Sequence, residues 1–149
     1  MDDLLDLEHF LPYRLSVLAN RVSRAFGRLY EARFDLKLPE WRVMAVLGRR
    51  TGITAREVAE LTAMDKVAIS RAVARLMEMG RVVAETDAAD GRRQKLSLSE
   101  SGWAIYHQIV PLAKRIEGSL VLGLGTGDLA TLDKLLAHLT ATAERIDHD

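Results

Sequence analysis

Arg92 and Arg93 stand side by side in TDAADGRRQK, Thr86 to Lys95, behind Asp90 and Gly91 and just ahead of Lys95. A guanidinium presents a planar fork of donors that matches phosphate or carboxylate, so a pair of them at a turn is a candidate anion-binding tip. Upstream, Lys66, Ser70, Arg71 and Arg75 recur at a spacing that places them on one side of a helix. No acid lies between Lys66 and Arg75, and none between Gly91 and Leu98. These cations are a local arrangement rather than a coat, because 21 Lys and Arg balance 21 Asp and Glu. The acids collect near the ends, as Asp2, Asp3, Asp6 and Glu8 and as Asp128, Asp133, Glu144, Asp147 and Asp149.

Other chemistry finds little support. The chain has no cysteine, which removes disulfides, thiolate metal sites and thiol redox sensing. His9, His107, His138 and His148 lack metal-ligand spacing, so no metal and no cofactor is expected. Gly123 to Gly127, GLGTG, falls between two helical patterns instead of after a strand, and no nucleophile elbow or histidine-carboxylate motif occurs. An enzyme is therefore not expected. The beginning, MDDLLDLEHF, is acidic where a secretory signal is basic, and no apolar run approaches the ~20 residues that cross a bilayer; the expected location is the cytoplasm, away from membranes.

The elements that must position the cations follow from periodicity. From Pro12 to about Phe34, Leu15, Leu18, Val22, Phe26 and Leu29 repeat as one amphipathic helix. A second begins near Pro39, with Trp41, Met44, Ala45 and Leu47 apolar and Gly52 beyond its end. Thr54-Ala-Arg-Glu57 fits a capping box, in which hydroxyl and carboxylate satisfy each other's backbone donors, and opens a short helix to about Leu61. Asp65 caps the next helix, Lys66 to Met79, which Gly80 stops. RVVAET and QKLSLSES then alternate as two strands of a hairpin tipped by the arginines. Ser99 caps a helix carrying Trp103, Tyr106, Val110, Ala113 and Ile116, expected to bend near Pro111. Thr126 or Asp128 starts the last helix, where Leu129, Leu132, Leu135, Leu136, Leu139, Ala143 and Ile146 make a broad apolar stripe. So much apolar surface on terminal helices calls for a partner, and a second copy of the chain is the expected one.

Two cationic projections on a small core suit duplex DNA. A helix can enter the major groove while a hairpin tip reaches the adjacent backbone or minor groove. Lys66, Ala68, Ser70 and Arg71 are then the candidates for base discrimination, and Thr54, Arg75, Arg92 and Arg93 for backbone anchoring, with Lys95 beside them. Asp90 is expected to pair with Arg92 or Arg93 and fix its direction. Blander readings stand beside these: a charged hairpin tip is often merely solvated, Arg71 and Arg75 can pair with Glu78 on the surface, and a winged helix can serve as a protein–protein interaction module without ligand control.

LPEWRVMAVL, then TAREVAELTAMDKVAISRAVARLMEMGRVV, then DAADGRRQKLSLSESG, from Leu38 to about Gly102, resemble the winged helix-turn-helix regulators of the multiple antibiotic resistance regulator (MarR) family. The resemblance implies a mainly α fold with a small β-hairpin. It divides the chain into residues 1–37 as an N-terminal dimerisation helix, 38–98 as the winged helix-turn-helix domain and 99–149 as C-terminal dimerisation helices. It also implies a homodimeric repressor on a pseudo-palindromic operator, released by a small molecule. In the family that molecule sits in a cleft between the first, second and fifth helices, which here gathers Tyr13, Arg14, Val17, Arg21 and Trp41. Aromatic surface beside fixed cations suits an aromatic carboxylate or its thioester. Trp41 equally suits core packing with Met44 and Ala45, and Arg14 and Arg21 equally suit a solvent face. The sequence departs from the family in lacking oxidant-sensing cysteines and in carrying Ala84 and Glu85 where a basic residue is common.

Overall fold

Pro12 sits in the first turn of helix α1, Leu11–Phe34, where its missing N–H removes no hydrogen bond. A 3-10 turn at Leu7–His9, which the sequence pattern had not suggested, precedes it. The computed structural model describes residues 3–149. It forms two compact units, Met1–Leu112 and Ala113–Asp149.

Helix α1 stops at Asp35, whose backbone turns left-handed at φ 52°, and Leu36 is then fully buried. Helix α2, Leu38–Leu47, begins where the Lys37 backbone N–H donates to Glu40 Oε2 at 2.6 Å. Helix α3, Ala55–Thr62, and helix α4, Lys66–Glu78, form the helix-turn-helix, joined through Ala63 at φ 53°. Thr54 and Asp65 cap them as expected, accepting from Glu57 N and Ala68 N, each at 3.2 Å. The capping box is only half used, however: the Glu57 carboxylate turns away from its own helix and accepts from Arg93.

The core lies where α2 and α4 cross. Val43, Met44, Leu47, Val58, Ile69 and Leu76 are all fully buried, each contributing about 1.5–3 kcal/mol by leaving water. Strands β1, Val82–Thr86, and β2, Gln94–Leu98, close it from one side as an antiparallel hairpin with Val82 opposite Leu98 and Ala84 opposite Leu96. Period-2 alternation decides which side chains face in: Val82, Leu96 and Leu98 are buried, while Val83 and the Glu85–Lys95 pair face solvent. Ile53 adds an isolated bridge to Leu96, with Leu96 N donating to Ile53 O at 2.7 Å, so the segment before α3 is stitched to the hairpin.

Helix α5, Glu100–Leu120, starts at Ser99, whose hydroxyl accepts from Gly102 N at 3.0 Å and donates to Gly80 O at 2.6 Å. A side chain at Gly102 would run into the Arg81 carbonyl, which explains the glycine in Ser-Glu-Ser-Gly. Pro111 lies within this helix without ending it. In the second unit, Gly125 N donates to Asp128 Oδ2 at 3.2 Å and helix α6, Thr126–His148, follows. None of its residues is buried, and Leu129, Leu132, Leu135 and Leu136 are exposed.

Candidate nucleic-acid interface

The wing tip is shaped by its backbone. Asp87 N donates to Arg93 O at 2.8 Å and Arg93 N to Asp90 O at 3.0 Å, while the Asp90 carboxylate accepts from Arg92 N at 3.0 Å. Asp90 thus folds the turn and leaves the guanidiniums to others, unlike the side-chain pairing expected from sequence. Asp87 supports the same turn: the Ala89 N–H at 2.9 Å, with smaller contributions from the nearby Lys95 and Arg93 charges, holds its carboxyl below the usual carboxylate range.

The two wing arginines differ in consequence. Arg93 Nη2 donates to Glu57 Oε1 at 3.0 Å, which ties the hairpin to the first turn of α3. Arg92 is exposed and bonds to no side chain among the described residues. Together with Thr54, Asp90 and Gln94 they line a cleft of about 800 Å3 that also takes in Arg56 and Glu57. Arg56 was not singled out in the sequence. Its position in the first turn of a capped helix, where a cation opposes the dipole, was the available signal.

Lys66, Ser70 and Arg71 are exposed along one stripe of α4, joined by Val67 and Ala74. Ala68 is half-buried, its N–H occupied by the Asp65 cap, and Lys95 faces solvent on β2 across from Glu85. Arg75 lies elsewhere. Its guanidinium pairs with the Glu40 carboxylate, and also reaches Asp35 Oδ1 at 3.1 Å and Asp35 O at 3.2 Å. Glu40 is 2% exposed and already accepts from Lys37 N, so Arg75 is the group that neutralises a buried acid. These hydrogen bonds and charges raise its pKa further above the ordinary arginine value, the bond to Glu40 first. Expected as a backbone anchor or a partner of Glu78, Arg75 instead fastens α4 to the junction between α1 and α2. Arg81 stands near the same charges; burial lowers its pKa, and its Nη1 is buried without a partner among the described residues.

The five residues expected around a ligand are spread along α1 and α2. Tyr13, Arg14 and Arg21 are exposed and Val17 half-buried, and none lines either cleft described here. Trp41 packs among aromatic rings, 5.2 Å from Tyr30 and 6.1 Å from Tyr106 between centroids, with Trp103 another 5.3 Å beyond Tyr106. Among the described residues, no helix is long and apolar enough to cross a membrane.

A capped helix pair, an exposed second helix and a two-stranded hairpin with an arginine tip define the winged helix-turn-helix class. Residues 34–93 match the model of the MarR family. Over 83 residues it is 29% identical to the transcriptional regulator HosA of Escherichia coli O157:H7; the match covers 56% of this chain and spans only 62% of that relative's length. The fold is similar to a MarR/EmrR family transcriptional regulator from Acinetobacter sp. ADP1, at a TM-score of 0.88 with 22% identity over 95% of this chain and 99% of that one. It is also similar to the PcaV transcriptional regulator from Streptomyces coelicolor, solved in complex with its natural ligand, at a TM-score of 0.76 with 23% identity over 94% and 98% of the two chains.

Proposed function

We propose that the protein is a cytoplasmic, DNA-binding transcriptional regulator, a homodimeric repressor that a small aromatic carboxylate or its thioester releases from a pseudo-palindromic operator. One observation carries the DNA-binding part: α4 turns an acid-free stripe of Lys66, Ser70 and Arg71 to solvent, while the wing offers an exposed Arg92. Residues 38–98 read the duplex in this scheme, Lys66, Ala68, Ser70 and Arg71 at base edges and Thr54, Arg92, Arg93 and Lys95 along the backbone. Residues 1–37 and 99–149 assemble the dimer. Leu4, Leu5, Leu7, Phe10 and Leu11 near one end and the leucines of α6 near the other are exposed, as a dimer surface seen in one protomer would be. For the effector, support comes from the fold shared with a ligand-bound regulator and from the aromatic surface around Trp41.

Replacing Arg92 and Arg93 by alanine is expected to weaken binding to every sequence and to lower the slope of log K against log salt by roughly one per lost phosphate contact. An unchanged slope removes the wing from the mechanism. An effector must bind the DNA-competent and DNA-incompetent states with different affinity, since equal binding releases nothing. Aromatic acids that neither quench Trp41 nor release DNA would end the ligand assignment.

A further inference from the structure

The outward stripe of α4 is not purely cationic. Val67, a β-branched residue, is 56% exposed, and with Lys66, Ser70, Arg71 and Ala74 it lines a shallow depression of about 350 Å3. Positions 67, 70, 71 and 74 fall three and four apart, so they form one continuous strip along the helix. On the opposite face of this helix Ile69, Ala72, Val73 and Leu76 are turned into the core, while Met77, 40% exposed, lies at its far end.

Charge decides what covers the strip. Lys66 and Arg71 flank Val67, and no acid occurs from Lys66 to Met77. An apolar protein surface laid over the strip would strip water from two cations without compensation, whereas a polyanion compensates them. Duplex DNA displays one apolar group at the base edges of its major groove, the C5-methyl of thymine. We propose that Val67, with the Ala74 methyl farther along the strip, reads thymine methyl groups, while Ser70 and Arg71 supply hydrogen bonds to adjoining base edges. This assignment rests on the DNA-binding reading above and deepens it: Val67 is a specificity-determining residue, absent from the polar and small residues that the sequence alone put forward.

The test uses the full-length protein and the duplex it enriches from random DNA. Each thymine is replaced in turn by deoxyuridine, which removes the methyl group and leaves the hydrogen-bonding pattern unchanged. Wild-type protein is expected to lose about three- to fivefold in affinity at one or more positions, the amount that burial of a single methyl group yields. At one or more of those positions Val67→Ala, at an exposed site compatible with folding, should bind thymine and deoxyuridine duplexes equally, whereas Arg71→Ala should keep the discrimination. A wild-type protein indifferent to every deoxyuridine overturns the proposal while leaving DNA binding intact, and so does a Val67→Ala variant that keeps the wild-type discrimination at every position. Failure to enrich any sequence overturns the regulator reading and this assignment with it.

Discussion

The winged-helix core and helix α6 use the same kind of residue in opposite ways. Where α2 and α4 cross, Met44, Leu47, Ile69 and Leu76 are fully buried by the chain's own elements. In α6, Leu129, Leu132, Leu135 and Leu136 repeat with equal regularity and are 36% to 53% exposed. Periodicity makes both helices; only the presence of a facing surface turns an apolar stripe into a core. The first region buries its stripe within one chain, and the second leaves its stripe exposed there.

The sharpest way to break that contrast is to put charge on the α6 stripe. Leu132→Glu with Leu136→Glu is expected to convert the proposed dimer into a monomer in sedimentation velocity at micromolar concentration, since burying an unpaired carboxylate is costly and leaving it in water is not. The winged-helix segment should keep its fold by near-ultraviolet circular dichroism. Loss of that signal would show that α6 is a core element after all. A smaller but wider effect is expected from Leu76→Ala, about 2–5 kcal/mol in denaturant unfolding, because the cavity opens inside a finished core. A cost under about 0.5 kcal/mol would mean that the α2–α4 crossing is loosely packed and that the two regions do not differ as described.

Much of this contrast was legible in the residues. Spacing and caps located all six long helical patterns and the hairpin, because Thr54, Asp65, Ser99 and Gly80 act on backbone groups a few residues away. The exposed polar stripe of α4, Lys66, Ser70 and Arg71, was legible for the same reason. What escaped was decided by contacts distant in sequence. Arg75 looked like its neighbour Arg71, and only the fold brings Glu40, 35 residues away, within reach of its guanidinium. Glu57 satisfied a capping motif, yet Arg93, 36 residues away, takes its carboxylate. Asp90 was assigned to the wing with the wrong partner, since a short acidic side chain next to Gly91 reaches backbone N–H groups more readily than a long guanidinium. Val67 was passed over because an apolar residue in an amphipathic helix reads as core until its face is known.

The self-sufficiency of the first region has an exception that yields the smallest expected effect. Tyr30 is fully buried among Phe26 and Trp41, and its hydroxyl has no hydrogen-bond partner among the described residues. Burial pushes its pKa up to about 12, from an ordinary value of 10.0. The charged form is the deprotonated one, so between those values the unfolded chain gives up its proton first. The stabilising contribution is therefore fully present below pH 10 and is lost as pH rises toward about 12. Tyr30→Phe keeps the ring packing and removes the orphaned hydroxyl. Its stability at pH 7 should be unchanged or raised by up to about 1 kcal/mol, and its decline from pH 10 to 12 should be shallower than that of the wild type. A clear loss at pH 7, or an alkaline decline as steep as before, would show that the hydroxyl has a partner, and the core around Trp41 would then depend on something outside its own rings.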